Sequence, residues 1–527
     1  MAVARSCAYP GRHMTGAMAR GLARLESWFS SGFLDRFNPF HFLGALTVCF
    51  LWIALVTGIY LFIFYRTSLQ GAYASVEALT HQQWFAGGIM RSVHRYASDA
   101  AVICLVAHLL REMTRGRFRG PRWFSWLTGT PLIWIVVIFG ITGYWMVWDE
   151  MGQYVAQSTA TLLDALPIFT EPMTRNFLTD SAIGGRLFTL IAFIHLVGLP
   201  IVIVLGIWFH LMRVRYPRIN PPRRLVAGSV LTLLVLSVFV PVTSHPPADM
   251  TQVPGPLELD WFYLALLPLI EASSGGVVWM LAAGGTLLLA AFPLLPGGDR
   301  RKPAEVYLPD CSGCSYCAED CPYGAIDMVP RTDGRNFELE ARVNPDLCVA
   351  CGICAGSCPS SSPFRQRTPL TTGIELPDWR VDELRARLSD PPAGRGVIAL
   401  IGCEHAVELA RVDDDRVLAV SLPCIGMLPA STIDHAMRRI GYAGVLLSGC
   451  ADCDCYHRLG DRWMHERIDW QRPPALRRSV SRERVEVCNL KPGRHAELKA
   501  AVAEFRARIE ALRDDEDELD RNTERCA

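Results

Sequence analysis

The chain has 527 residues, half of them hydrophobic, and its 52 basic and 52 acidic side chains cancel. That length excludes a single hydrophobic core, so two to four domains are expected, and the balanced charge gives no sign of nucleic-acid binding. Most of the 18 cysteines fall in close runs between residues 311 and 455, which argues against a stapled secreted fold and for metal ligation in a reducing compartment.

Residues 1–39 carry scattered arginines and, before Phe40, no apolar core or cleavage site of a removable signal. Residues 16–30 have the composition of an amphipathic surface helix. Six segments then reach the roughly 20 apolar residues that cross a bilayer: 40–64, 87–110, 125–148, 186–211, 225–243 and 275–296. Arg111, Arg115, Arg117, Arg119 and Arg122 follow the second segment, and Arg213, Arg215, Arg218, Arg223 and Arg224 follow the fourth. With Arg300, Arg301 and Lys302 after the sixth, they place those loops and both termini on the cytoplasmic side. The connection 149–184 is then periplasmic, as expected for a multi-pass protein of a bacterial inner (cytoplasmic) membrane.

A histidine inside a membrane span is costly unless something binds it. His94 and His108 lie fourteen residues apart in the second segment, and His195 and His210 fifteen apart in the fourth. Fourteen residues is close to four helical turns, so the two histidines of one helix share a face, about 21 Å apart. Two such helices can clamp two b-type haems stacked across the membrane, with one imidazole on each side of each iron. Four unrelated buried histidines would have no reason to share that spacing. Gly44 and Gly58, and Gly129 and Gly143, repeat the fourteen-residue interval in the first and third segments. Glycine there lets a flat macrocycle approach the backbone.

RSVHR (91–95), TGY (142–144), VWDEMG (147–152) and HLVGLP (195–200) closely resemble cytochrome b of the bc complexes, in particular the shorter form of bf complexes, whose second histidine spacing is also fifteen. PPADMTQVPGPLELDWFY (246–263) is similar to the start of subunit IV of the bf complex, and the resemblance covers residues 25–296. It implies that His94 and His195 bind the periplasmic-side haem and His108 and His210 the cytoplasmic-side haem. Arg91 and Arg95 would pair with haem propionates, or else snorkel from a helix end. The family's quinol-oxidation motif Pro-Glu-Trp-Tyr stands here as Leu259-Asp260-Trp261-Phe262, which makes Asp260 the candidate acid for quinone as substrate. The cysteine that carries an extra covalent haem in bf complexes falls at Phe42, and no C-x-x-C-H occurs, so neither that haem nor a c-type haem is expected.

Residues 311–321 and 348–358 each read C-x2-C-x2-C-x3-C-P, the run of bacterial 2[4Fe–4S] ferredoxins. Three close thiolates hold one cluster and the fourth reaches across to the other. Cys311, Cys314, Cys317 and Cys358 should hold one [4Fe–4S] cluster, and Cys348, Cys351, Cys354 and Cys321 the second. Paired zinc sites would lack the trailing C-P pattern. Residues 363–395 look like a linker with one short helix. GVIALIGC, RVLAVSLPC and AGVLLSGC are short apolar strands alternating with helical stretches, so a small α/β domain with a parallel sheet is expected. Cys403, Cys424 and Cys450 end those strands, where such sheets place their sites, and Cys455 follows. Ordinary buried cysteines are the competing account. Residues 422–462 resemble the small iron-sulfur subunit of methyl-viologen-reducing hydrogenase, and the resemblance spans 396–507. It implies one [2Fe–2S] cluster on Cys403, Cys424, Cys450 and Cys455, with Cys453 or Cys488 as substitutes. Where that family has C-x-x-C, this chain has Cys403 and Ala406.

The expected fold class is therefore multidomain. An N-terminal segment (1–39) precedes an all-α transmembrane haem-binding helix bundle (40–220) and two further transmembrane helices (221–298). An α+β ferredoxin domain (299–362), a linker (363–395), a small α/β iron-sulfur domain (396–512) and a charged tail (513–527) complete the chain. The order of centres implies a membrane electron-transfer protein joining the quinone pool to a soluble cytoplasmic redox partner. By resemblance the partner is a heterodisulfide reductase-like or NAD(P)H flavoprotein, a hydrogenase or a formate dehydrogenase, and the membrane part pairs as a homodimer, as in bc complexes. The competing expectations are a non-catalytic anchor and relay, or a redox-sensing module, with quinone chemistry in a partner subunit. The sequence has no flavin, molybdopterin or nickel signature, so terminal substrate chemistry belongs to another protein.

Overall fold

A computed structural model describes residues 16–33, 37–167, 185–295, 301–364, 371–451 and 454–526. The chain divides into two units, one of residues 1–212 with 217–298 and one of residues 213–216 with 299–527.

The first unit is helical, because a helix satisfies its own backbone where water is absent. Among the described residues, five helices are long and apolar enough to cross a membrane: Pro39–Phe64, Trp84–Thr114, Trp123–Val147, Arg186–Leu211 and Gly275–Leu294. At the span expected at 225–243 lies a helix of 17 residues, Arg223–Phe239, shorter than those five. Pro241 sets its end: the residue before a proline is pushed out of helical geometry, and Val240 leaves the helix at φ −132°, ψ 71°.

The expected N-terminal helix is present as Gly16–Phe33. Its buried Glu26 receives Arg111 Nε at 2.8 Å and an Arg115 nitrogen at 2.5 Å. Burial works to raise the Glu26 pKa, but the charges of those arginines outweigh it and hold the carboxyl below its ordinary value. Asn38 caps the entry to the first span, accepting from Phe40 N at 2.9 Å and donating to the Glu26 carbonyl at 2.8 Å. Asp149 caps the helix Glu150–Asp164 in the same way, accepting from Gly152 N at 2.8 Å. The rest of the connection expected to be periplasmic, from 168 to 184, lies outside the described residues.

The fourth span is not a uniform α-helix. Gly185–Phe193 and Leu199–Leu211 are joined by a π-helical turn, Ile194–Gly198, that carries His195. Such a turn inserts one residue into the α-helical register. The fifteen-residue interval from His195 to His210 therefore matches the fourteen of the second span.

The second unit begins with two pairs of short antiparallel strands around the ferredoxin-type cysteines. β1 (Glu305–Val306) pairs with β4 (Ile374–Glu375), and β2 (Ile326–Pro330) pairs with β3 (Leu339–Val343). Each of two short helices, Tyr316–Asp320 and Ile353–Ser357, carries the third cysteine of its run. The stretch read as a linker supplies β4 and the helix Val381–Leu388. Then β5 (Ile398–Cys403), β6 (Val417–Leu422), β7 (Gly444–Gly449) and β8 (Val485–Asn489) form a parallel sheet in the order β6-β5-β7-β8. β5 and β7 are buried along their whole length, which is why they read as continuous apolar runs. Helical bundle, ferredoxin-like domain and small α/β domain are thus all present.

Candidate functional site

His94 and His195 face each other with ring centroids 6.4 Å apart and planes inclined at 56°. A metal bonded to one nitrogen of each ring at about 2 Å leaves the rings about 6 Å apart, so this gap fits a single iron. Nδ1 of His94 lies 2.8 Å from the Ala54 carbonyl and 3.2 Å from Thr57 Oγ1, and Nδ1 of His195 lies 2.9 Å from Thr142 Oγ1. Holding Nδ1 orients each ring and leaves Nε2 for the metal.

Each of the four glycines lies against one of the four histidines. A Cβ built on Gly58 would fall 3.0 Å from Cε1 of His94, and one on Gly143 3.3 Å from Cε1 of His195. On Gly129 it would fall 3.0 Å from Cε1 of His210, and on Gly44 3.4 Å from Cε1 of His108. Beside any clearance for a macrocycle, these glycines let an imidazole stand directly against the neighbouring helix.

Arg91 and Arg95 have protein partners. Arg91 donates to Thr80 Oγ1 at 2.5 Å and to Ser244 Oγ at 2.8 Å, and lies 3.5 Å from Glu77. Arg95 pairs with Asp260 Oδ2 and, at 2.8 Å, with Asp99. Asp260 Oδ2 also accepts from Tyr144 at 2.9 Å, while Oδ1 accepts from the backbone of Phe262 at 2.6 Å and of Tyr263 at 3.0 Å. Burial works to raise the Asp260 pKa, but the hydrogen bond and charge of Arg95 with the two backbone N–H groups hold it below its ordinary value.

In the second unit, Cys311, Cys314, Cys317 and Cys358 line one cavity, and Cys321, Cys348, Cys351 and Cys354 line another. The backbone thus makes the crossing that the sequence pattern implies, with Cys321 and Cys358 each reaching the other run's cavity. The N–H groups of Ala325 and Ala304 lie 3.3 Å and 3.4 Å from the sulfurs of Cys321 and Cys348. Burial pushes the Cys317 thiol up to about 12, and a bound metal would offset that cost by holding the thiolate. Among the described residues no three His, Cys, Asp or Glu converge as for a single metal ion.

Cys403 ends β5, Cys450 follows β7, and Cys424 stands two residues beyond β6. The sulfurs of Cys403 and Cys450 are 3.6 Å apart, and the Cys455 thiol is close enough to those of Cys424 and Cys450 for each to affect its titration. The four expected cysteines therefore meet. Cys488 packs with Ile398, Leu400 and Leu446, on the opposite face of the sheet from Cys403 and Cys450, and Cys453 lies outside the described residues. Two neighbours were not apparent in the sequence. Asp461 lies against Cys455, and burial together with that thiol pushes its pKa up to about 8. His405 stacks on Tyr456 with ring centroids 3.7 Å apart. His405 reaches Tyr456 from 51 positions away, whereas Asp461 is six residues from Cys455 but stands in no motif that would mark it.

Residues 29–218 match the family model for cytochrome b/b6, residues 310–362 that for a 4Fe-4S dicluster domain, and residues 402–513 that for the delta subunit of methyl-viologen-reducing hydrogenase. Among solved structures, one described as hyperthermophilic respiratory Complex III matches at 13% identity and a TM-score of 0.40, over 53% of this chain and 82% of that one. Cytochrome b implies haem, and the dicluster domain implies 4Fe-4S clusters. The chain joins segments that match cytochrome b/b6, 4Fe-4S dicluster and hydrogenase delta-subunit models with, among the described residues, five helices long and apolar enough to cross a membrane, which together support a membrane electron-transfer role.

Proposed function

We propose that the chain carries electrons between the quinone pool and a soluble redox partner, as a subunit of a quinone-linked oxidoreductase complex. The observation that carries this reading is the His94–His195 pairing at 6.4 Å in the same polypeptide as two cavities each lined by four cysteines. His94 with His195, and His108 with His210, would hold two b-type haems, each of which supplies a one-electron couple when bound. Thr57 and Thr142 keep two of the imidazoles oriented. The two ferredoxin-type sets of cysteines would hold [4Fe–4S] clusters, and Cys403, Cys424, Cys450 and Cys455 a [2Fe–2S] cluster.

The membrane would be the bacterial cytoplasmic membrane, with both termini and all cluster cysteines on the cytoplasmic side. A flavoprotein of the heterodisulfide reductase or NAD(P)H type, a hydrogenase or a formate dehydrogenase would be the partner. Ferredoxin-type clusters are low in potential, so transfer toward quinone runs downhill.

A second reading is favoured by the surroundings of Asp260. Its carboxylate is engaged by Arg95, Tyr144 and two backbone N–H groups, the environment of an anchor rather than of a proton acceptor. On that reading the chain is a relay, and quinone chemistry belongs to a partner subunit. Redox-monitored optical and EPR spectroscopy of the purified chain tests the main proposal. Two bis-histidine haems reduced by a quinol analogue, with signals from three clusters, are expected. Haem that no quinol analogue reduces, or unchanged haem content in His195→Ala, would overturn it. Unchanged turnover in Asp260→Asn would remove Asp260 from the quinone site and favour the relay.

A further inference from the structure

Arg467 is the largest fully buried side chain of the protein among the described residues, with no exposed surface. Its terminal nitrogens reach three segments, each next to a cysteine of a different set. One donates to Asp320 Oδ2 at 2.6 Å and to Ser357 Oγ at 2.6 Å; the other donates to the Gly426 carbonyl at 3.1 Å. Asp320 precedes Cys321, Ser357 precedes Cys358, and Gly426 is two residues beyond Cys424. The guanidinium therefore stands where the two ferredoxin-type sets and the C-terminal set come together.

The backbones are close at the same place. A Cβ on Gly356 would lie 2.2 Å from the Gly426 carbonyl oxygen, the one that accepts from Arg467. Gly352 faces the Met427 side chain, and Ile353 approaches Gly460, which itself abuts the Cys424 sulfur. Asp320 is satisfied from its other oxygen by Arg472 at 2.6 Å, and Arg472 lies 3.5 Å from the centre of the Trp463 ring. A fully buried ion pair is costly to desolvate, and apolar residues of the same volume often serve stability as well or better. Stability alone therefore gives little reason for a buried arginine here, whereas a fixed charge beside three redox centres does.

We propose that Arg467 is a positioning residue for electron transfer: it locks the ferredoxin domain onto the α/β domain so that the Cys321/Cys348/Cys351/Cys354 cluster exchanges electrons with the C-terminal cluster, and its charge favours their reduced states. The step moves one electron: one cluster is oxidised by one unit as its neighbour is reduced by one, with no other reactant. Reduction adds a negative charge, which a nearby cation stabilises. A unit charge at about 10 Å, under an effective dielectric constant near 20, changes such an equilibrium by roughly tenfold. For a one-electron couple that is about 59 mV.

The proposal rests on the cysteine sets holding clusters, and the test separates the two. EPR-monitored redox titration is run on the full chain in detergent, unsubstituted and as Arg467→Gln, Arg467→Lys and Asp320→Asn. Arg467→Gln leaves Asp320 negative, so the midpoint potentials nearest the junction should fall, with the reduced-to-oxidised ratio at fixed potential dropping about tenfold. Asp320→Asn leaves the arginine uncompensated, so the same potentials should rise, and Arg467→Lys should stay near the unsubstituted value. Spin–spin broadening between the C-terminal cluster and one [4Fe–4S] cluster should be present in the unsubstituted chain. A merely structural clamp would move the potentials in the same direction in the Gln and Asn variants, or not at all, and either result overturns the proposal. Should Arg467→Gln fail to accept its clusters, Asp320→Asn decides alone: a rise supports the assignment and a fall or no change sinks it. Absence of any cluster signal in the unsubstituted chain would defeat the ligation reading itself, and this proposal with it.

Discussion

Gly58 and His94 are in direct contact across two helices: a Cβ on Gly58 would sit 3.0 Å from Cε1 of the imidazole. Gly129 stands in the same relation to His210, whereas Gly143 at 3.3 Å and Gly44 at 3.4 Å leave their histidines more room. Alanine should therefore rank by position. Gly58→Ala and Gly129→Ala force the ring to shift at a cost of about 1–3 kcal/mol, which weakens haem retention roughly 5- to 150-fold. Gly44→Ala should retain its haem. A pyridine haemochrome assay of haem per protein reads the ranking, and equal loss at positions 44 and 58 would contradict it.

The histidines and cysteines were legible in the sequence because their chemistry depends on spacing, and spacing is a local property. The π-helical turn Ile194–Gly198 shows the limit. The fifteen-residue interval is visible in the sequence, but the turn that makes it equivalent to fourteen is not. The helix at the fifth expected span is shorter than the apolar stretch suggests for a readable reason, Pro241 ending it at Phe239. The partners of charged residues were not readable. Glu26 meets Arg111 and Arg115, and Asp320 meets Arg467, at sequence separations of 85 to 147. Only the packing of helices and sheet decides such pairs.

Asp260 provides a pH-dependent test. Its folded-state pKa lies below the unfolded value of about 3.9. The pairing with Arg95 therefore stabilises the protein throughout the range above that value, and this contribution is lost as pH falls through the folded pKa. Asp260→Asn should lower stability at pH 7 by roughly 1.5–3 kcal/mol and flatten the acid dependence. Thermal melts of the detergent-solubilised protein from pH 7 down to pH 3 make the comparison. Parallel curves for the two proteins would mean that the carboxylate stabilises nothing.

The cysteines of the α/β domain divide by face of the sheet. Cys450 and Cys455 lie among the converging sulfurs, while Cys488 packs on the other side with Leu400 and Leu446. Cys450→Ser or Cys455→Ser should abolish the C-terminal cluster signal and leave both [4Fe–4S] signals in place. Cys488→Ser should leave iron and sulfide content unchanged. Loss of iron in Cys488→Ser would move that residue into the ligand set.

Removing the α/β domain should damage more than the C-terminal cluster. Cys424, Met427, Leu459 and Trp463 share one buried core with Cys351, Ile353 and Leu376 of the ferredoxin side, and the Trp463 indole donates to the Asp320 carbonyl at 3.1 Å. Each large apolar side chain withdrawn from that core forfeits about 1.5–3 kcal/mol, and Asp320 would lose Arg467 and Arg472 together. A chain ending at residue 395 should therefore assemble its [4Fe–4S] clusters poorly, with reduced iron content and weakened EPR signals. Cys450→Ser, which keeps the core, should retain both. If the shortened chain holds two intact [4Fe–4S] clusters, the ferredoxin domain is self-sufficient and the shared core contributes little to it.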